Sequence, residues 1–253
     1  MGALAIAAII FVLTFGGALL GIFLRGVLPG HQFGDDSKDA VRLGMGLVAT
    51  MAALVLGLLV ASAKGSYDTQ RNGLDDIAAT LLLLDHTLAE YGPDATKART
   101  TLRQVVTAAL ARVWPQDASQ TPTLGEVAVM PAARTLYDEI QGLAPENDLQ
   151  RTLQSKALDV AASLAKARWL LAAQQESGAI PMPFLVVLTF WLSVLFVSFG
   201  LFAPPNVTVI VTLLLSAASI AGAIFLTLEL ADPFQGLIQV PSGPLRDALA
   251  HLG

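Results

Sequence analysis

The chain has 253 residues, 54% of them hydrophobic and only 14% charged, with a formal net charge of −5. Soluble domains carry about a quarter charged residues, so this composition is that of a membrane protein. The acidic balance and the lack of a basic run argue against a nucleic-acid partner, and the absence of cysteine excludes disulfides, thiolate nucleophiles and thiolate metal ligands.

The first predicted element is a membrane span from Ala3 to Leu24. It is too long for the apolar part of a cleaved signal, and no Lys or Arg precedes it, so it reads as a retained helix. Ile6 stands where N-myristoylation needs Ser or Thr. Gly17 and Gly21 form a GxxxG pair, a device for close helix packing, and Arg25 closes the span. A polar connector follows from Gly26 to Ala40, with a turn at Pro29-Gly30. Its His31, Asp35, Asp36 and Asp39 have the oxygen-rich chemistry of a cation site but lack the spacing of a calcium loop, and we read them as plain connector.

From Val41 to Tyr91 the sequence predicts one long helix. Its first 20 or so residues carry no charge beyond Arg42, enough to cross about 30 Å of hydrocarbon. It then becomes amphipathic without a strong breaker, since Gly65 and Gly73 weaken a helix without ending it. Ala49, Ala53, Gly57 and Ala61 recur at every fourth position, and Arg42, Gly46, Lys64 and Asp68 lie near the same side. Leu47, Met51, Leu54 and Leu58 make a bulky apolar side opposite. Further on, Leu74, Ile77, Leu81, Leu84 and Leu88 step 3-4-3-4, the seam of a helix packed on other helices. The small, charge-ended side has two readings: tight packing on a neighbouring helix, or copies surrounding a pore with charged mouths.

Gly92-Pro93 ends this helix, and a second runs from about Asp94 to Trp114, with Ala98, Leu102, Val105, Val106, Ala109, Leu110 and Val113 on its apolar side. Lys97, Arg99, Arg103 and Arg112 read as its solvated face. After a loop, a short helix follows Pro131, and a longer one runs from Asn147 to about Glu176. Asn147 and Gln150 are placed as a reciprocal cap, and Leu149, Leu153, Ala157, Val160, Leu164 and Leu171 form the stripe. Two closing spans, from Phe184 to Phe202 and after the capping residue Asn206, are joined so tightly that they must be antiparallel neighbours. The last carries a small patch, Ser216 to Ser219 with Gly222 and Ala223, and ends in Glu229, which reads as reaching headgroup water. Pro233, Phe234 and Gly236 shape a turn that docks the tail on the helical region, and a short amphipathic helix lies near Pro244 to Leu252.

The expected architecture is therefore an all-α membrane protein: residues 1–63 hold two spans and the connector, 64–178 a helical domain continuing the second span, 179–230 two more spans, and 231–253 a tail. Lys64, Arg71, Lys166, Arg168 and Arg246 on the domain side, against Arg25, Lys38 and Arg42 on the other, point to a multi-pass inner-membrane protein with the domain and both termini cytoplasmic. No P-loop, GxGxxG or nucleophile elbow occurs, and His31, His86 and His251 are scattered, so no enzyme, cofactor or metal is expected.

Three blocks, LGLLVASAKGSYDTQ, FWLSVLFVSFGLFAPPNVTV and LELADPFQGLIQVPSGPLRDAL, resemble the bestrophin-like family of bacterial membrane proteins. The resemblance implies four spans with a helical cytoplasmic region between the second and third. Through the bestrophins it further implies a homo-pentameric ion channel in the lipid bilayer, with the second span lining the pore. The pore-lining candidates are then Arg42, Gly46, Ala49, Thr50, Ala53, Gly57, Ala61, Lys64 and Asp68, with anions preferred as the conducted ions. The second span lacks the proline and aromatics of a bestrophin neck, and no calcium-binding motif carries over. The alternative expectation is a non-conducting membrane scaffold whose helical domain binds a cytoplasmic partner.

Overall fold

Leu84 and Leu88, fully buried in the middle of the seam, show how the long helix is used: its 3-4-3-4 leucines are the spine of a helical core. The computed structural model describes residues 2–27, 35–115, 131–177, 180–234 and 236–252. Among these the chain forms eight α-helices, a 3-10 turn at Pro93–Ala95 and no strand. The helices are α1 (Ala3–Val27), α2 (Asp35–Tyr91), α3 (Thr96–Val113), α4 (Pro131–Gln141), α5 (Asp148–Ser177), α6 (Met182–Phe202), α7 (Val207–Ala231) and α8 (Gly243–His251). Four of them, α1, α2, α6 and α7, are long and apolar enough to cross a bilayer. The chain divides into two compact units, Met1–Gly65 with Ala179–Ala231, and Ser66–Gly178 with Asp232–Gly253. Helix α2 contributes to both.

Helix α2 begins six residues before the predicted start at Val41. The last part of the connector, from Asp35 on, thus joins the helix. Of the connector cluster, His31 and the side chains of Asp35 and Asp36 lie outside the described residues, and Asp39 pairs with Arg42 at 3.4 Å. At its other end α2 stops at Tyr91 because Gly92 takes φ 115°, ψ −169°, a conformation that only glycine adopts without strain, and Pro93 follows.

In the first unit, α1 crosses α6 at backbone contact. A Cβ built on Gly21 would lie 2.0 Å from the Val197 carbonyl oxygen, and one on Gly200 would lie 2.0 Å from that of Ala18. Gly17 sits in the same crossing, with Ser193 and Val197 beside it, so the GxxxG pair is used here. An Arg25 guanidinium nitrogen donates to the Ala203 carbonyl, tying the end of α1 to the end of α6. Asn206 caps α7 by accepting from the Val209 amide at 2.9 Å. Of the small patch on α7, Ala217 is buried but Ala218, Ser219 and Gly222 face outward, because the inward line is Leu213, Ala217, Ala221 and Ile224 at four- and three-residue steps. Glu229 is not solvated at a span end as expected: it is 7% exposed and takes part in polar or electrostatic contacts. The protein supplies its surroundings in place of headgroup water.

The second unit packs the last part of α2 with α3, α4, α5 and α8. Leu102, Val106, Ile140, Leu153, Ala157 and Leu164 close on the α2 seam, each fully buried aliphatic chain contributing about 1.5–3 kcal/mol. Leu149 departs from its expected stripe: it lies in the first turn of α5, beyond the core, and is exposed. The Asn147 cap forms, with Oδ1 accepting from the Gln150 amide at 2.8 Å, while Gln150 Oε1 reaches one residue further back, to the Glu146 amide. Gln154 Nε2 donates to the carbonyls of Ile140, Gln141 and Leu143, satisfying the end of α4. The tail docks as read: Phe234 stacks edge-on against Trp114, whose indole N–H donates to Val240 O at 3.0 Å.

The basic side of α3 is solvated as expected at Lys97, Arg103 and Arg112, which are exposed, but Arg99 is half-buried, and three of the four make contacts. Arg99 grips Asp85 of α2 through two bonds of 2.8 and 2.9 Å, Lys97 reaches Glu139 at 3.3 Å, and Arg103 donates to Leu252 O. Only Arg112 of the four forms no such contact with a described residue. The Asp85 side chain is 9% and that of Arg99 26% exposed, so Arg99→Met strands a nearly buried carboxylate. Discounted for the partial exposure of Arg99, the expected cost is about 2–3 kcal/mol of unfolding free energy in denaturant titration. An Asp85→Leu/Arg99→Met double substitution should cost less than the single one, because no charge is left unpaired.

Candidate functional site

Within the first unit, α2 has three faces, each about a third of a turn from the next at roughly 100° per residue. One is buried against the chain itself: Ala52, Leu59 and Ala63 are enclosed, with Met45, Val48, Val55 and Leu56 packed beside them. The second is the exposed bulky face of Leu47, Met51, Leu54 and Leu58, which lies beside the small residues and not opposite them as expected, because the opposite side is the packed one. The third carries the small residues.

On this third face Gly46, Thr50, Ala53, Gly57 and Ala61 are all exposed. Ala49, at its edge, is half-buried against the α2 packing face. A Cβ added at Gly46 or Gly57 would meet nothing within 4 Å. Glycine in a helix interior costs about 1 kcal/mol relative to alanine, and nothing within the chain itself accounts for accepting that cost here. The contrast with Gly21 and Gly200, which touch a neighbouring backbone, is direct.

The Thr50 hydroxyl donates to the Gly46 carbonyl at 2.9 Å, which leaves the strip between Gly46 and Ala61 without an unsatisfied donor. Charge is confined to the strip's ends. Arg42 is exposed and held by Asp39; Lys64 is exposed and Asp68 half-buried, both engaged in contacts. The predicted residues thus lie along one side of one helix, with Ala49 and Asp68 the least open. Sequence reading missed the packed face of α2, because its Ala52, Leu59 and Ala63 look no different in type from the outward residues. Among the described residues no group of His, Asp and Glu side chains has the makings of a metal site.

A family model for the Bestrophin-like domain matches residues 12–245. No curated protein matches the chain in sequence. Among solved structures, a point variant of a bacterial bestrophin homologue from Klebsiella pneumoniae superposes with a TM-score of 0.67 at 15% identity, covering 100% of this chain and 97% of that one. A second variant of that homologue gives 0.64 at 14%, and a third 0.62 at 16%, each covering 97% of both chains.

Proposed function

Since this chain belongs to the Bestrophin-like family and is a multi-pass membrane protein, we propose that it assembles as a homo-pentamer in the inner membrane and conducts ions, anions in preference, along an axis lined by α2. The observation that carries this is the third face of α2: small, outward, ended by charge, and left uncovered by the chain's own helices. Copies brought together on that face form a narrow apolar strip from Gly46 to Ala61 between polar mouths, a pattern found in gated pores. Each mouth pairs a base with an acid, Arg42 with Asp39 at one and Lys64 beside Asp68 at the other, so the preference for anions rests on the family resemblance. The second unit and, separately from it, the N-terminus lie on the cytoplasmic side, as the distribution of Lys and Arg near the span ends favours. The exposed Leu47, Leu54 and Leu58 face lipid or adjacent subunits.

A second reading, a non-conducting scaffold, is favoured by the Thr50 hydroxyl, whose proton is given to Gly46 O, which leaves the strip with no side-chain donor for an anion. Recording from purified protein in planar bilayers separates the two. The channel reading expects discrete currents whose reversal potential follows the anion gradient. Silence across ions, pH and voltage overturns it in favour of the scaffold.

A further inference from the structure

Arg168, on α5, is the exception among the arginines of the second unit. Arg99, Arg103 and Arg151 are bonded to Asp85, Leu252 O and Asp148, and Arg112 and Arg134 are exposed. The Arg168 side chain is half-buried, its Nε is sealed from solvent, and it makes no hydrogen bond or ion pair among the described residues. Burial without an acidic partner lowers its pKa from the ordinary value. A guanidinium stays charged in proteins, so the fold holds a half-buried cation with no compensating partner among the described residues.

Two cavities meet at this cation. One is an apolar void of 60 Å³ among Leu74, Ile77, Val113 and Leu171. The other is an open groove of 740 Å³ with Leu136 on its wall, Tyr137 and Trp169 at its rim, and Arg134 and Asp138 as its other charged residues. Val105, Leu164 and Arg168 line both. The groove's size is that of a small-molecule site, and a mostly apolar wall with a few charged groups is the usual make-up of such sites. The planar fork of a guanidinium matches a carboxylate through two parallel bonds. With Arg134 offset by Asp138, the lining carries one net positive charge, which suits a singly charged anion, and the apolar surroundings disfavour a bare inorganic one.

We propose that this groove binds a small organic monocarboxylate, its carboxylate on Arg168 and its apolar or aromatic body against Val105, Leu136 and Leu164 between Tyr137 and Trp169. The site lies within the second unit and is independent of whether the protein conducts.

Titration of the full-length purified protein with 3-phenylpropionate, followed by calorimetry and by tryptophan fluorescence, tests this. Saturable binding is expected, with the neutral 3-phenylpropanol at least about tenfold weaker, the scale of one lost charge-assisted bond. Arg168→Met should weaken the acid by a similar factor and raise the melting temperature of the ligand-free protein, since a buried unpaired charge is removed. Arg112→Met should bind as the native chain does. Equal binding of acid and alcohol, unchanged binding in Arg168→Met, or an equivalent response to inorganic phosphate alone overturns the proposal. So does absent binding together with loss of assembly in Arg168→Met, which assigns the guanidinium to a contact between copies.

Discussion

Gly21→Ala should destabilise the four-span unit by about 3 kcal/mol or more, whereas Gly16→Ala, five residues earlier on the same helix, should be neutral or mildly stabilising. The difference is geometric. The new methyl at position 21 would sit 2.0 Å from Val197 O and 2.8 Å from Leu201 N, both backbone atoms of α6 that cannot rotate away. Relief requires the two helices to move apart, which loosens the packing of Ala18, Phe196 and their neighbours and strains the Arg25 bond to Ala203. At Gly16 the methyl meets open space, so only helix propensity changes. Gly200→Ala, the reciprocal position, should behave like Gly21→Ala. Thermal unfolding in detergent, read with the fraction eluting as a monodisperse peak, measures both. Native-like melting of Gly21→Ala would mean that α1 and α6 do not approach as closely as described.

The second large effect concerns conduction. Gly57→Leu adds bulk where the chain itself offers free space, so the fold should survive and helix propensity should favour the change. If the third face of α2 surrounds the axis, every subunit places that leucine into the narrowest part, and current should be almost entirely lost. Leu54→Ala, on the bulky face of the same helix, should leave conductance near the native level. Bilayer recording of the two variants beside the native protein decides. Native current through Gly57→Leu would take the third face off the axis.

Much of this was legible in the residues because helix formation and burial leave periodic marks. The spans, the Gly92-Pro93 break, the Asn147 and Asn206 caps and the five seam positions from Leu74 to Leu88 follow from apolar length, backbone chemistry and 3-4 spacing. What was not legible depends on pairings between distant segments. Asp85 and Arg99 look like surface residues of separate amphipathic helices until α2 and α3 pack and bring them to 2.8 Å. The burial of Arg168 and Glu229 likewise depends on helices far away in sequence. That Gly46, Ala53, Gly57 and Ala61 share one outward side of α2 was legible, since small residues at four-residue steps mark a face. The self-packed face of α2, Ala52, Leu59 and Ala63, was not, because in an apolar span alanine and leucine serve inward and outward positions alike.

The absence of native cysteine permits a direct test of which face lies on the axis, because each introduced thiol is the only one in the chain. In assembled protein in bilayers, Ala53→Cys should react with a charged, membrane-impermeant thiol reagent and lose its current as it does so, while Leu54→Cys, one residue along and about 100° around, should stay unreactive and conducting. A reactive Leu54→Cys beside an inert Ala53→Cys would contradict the account.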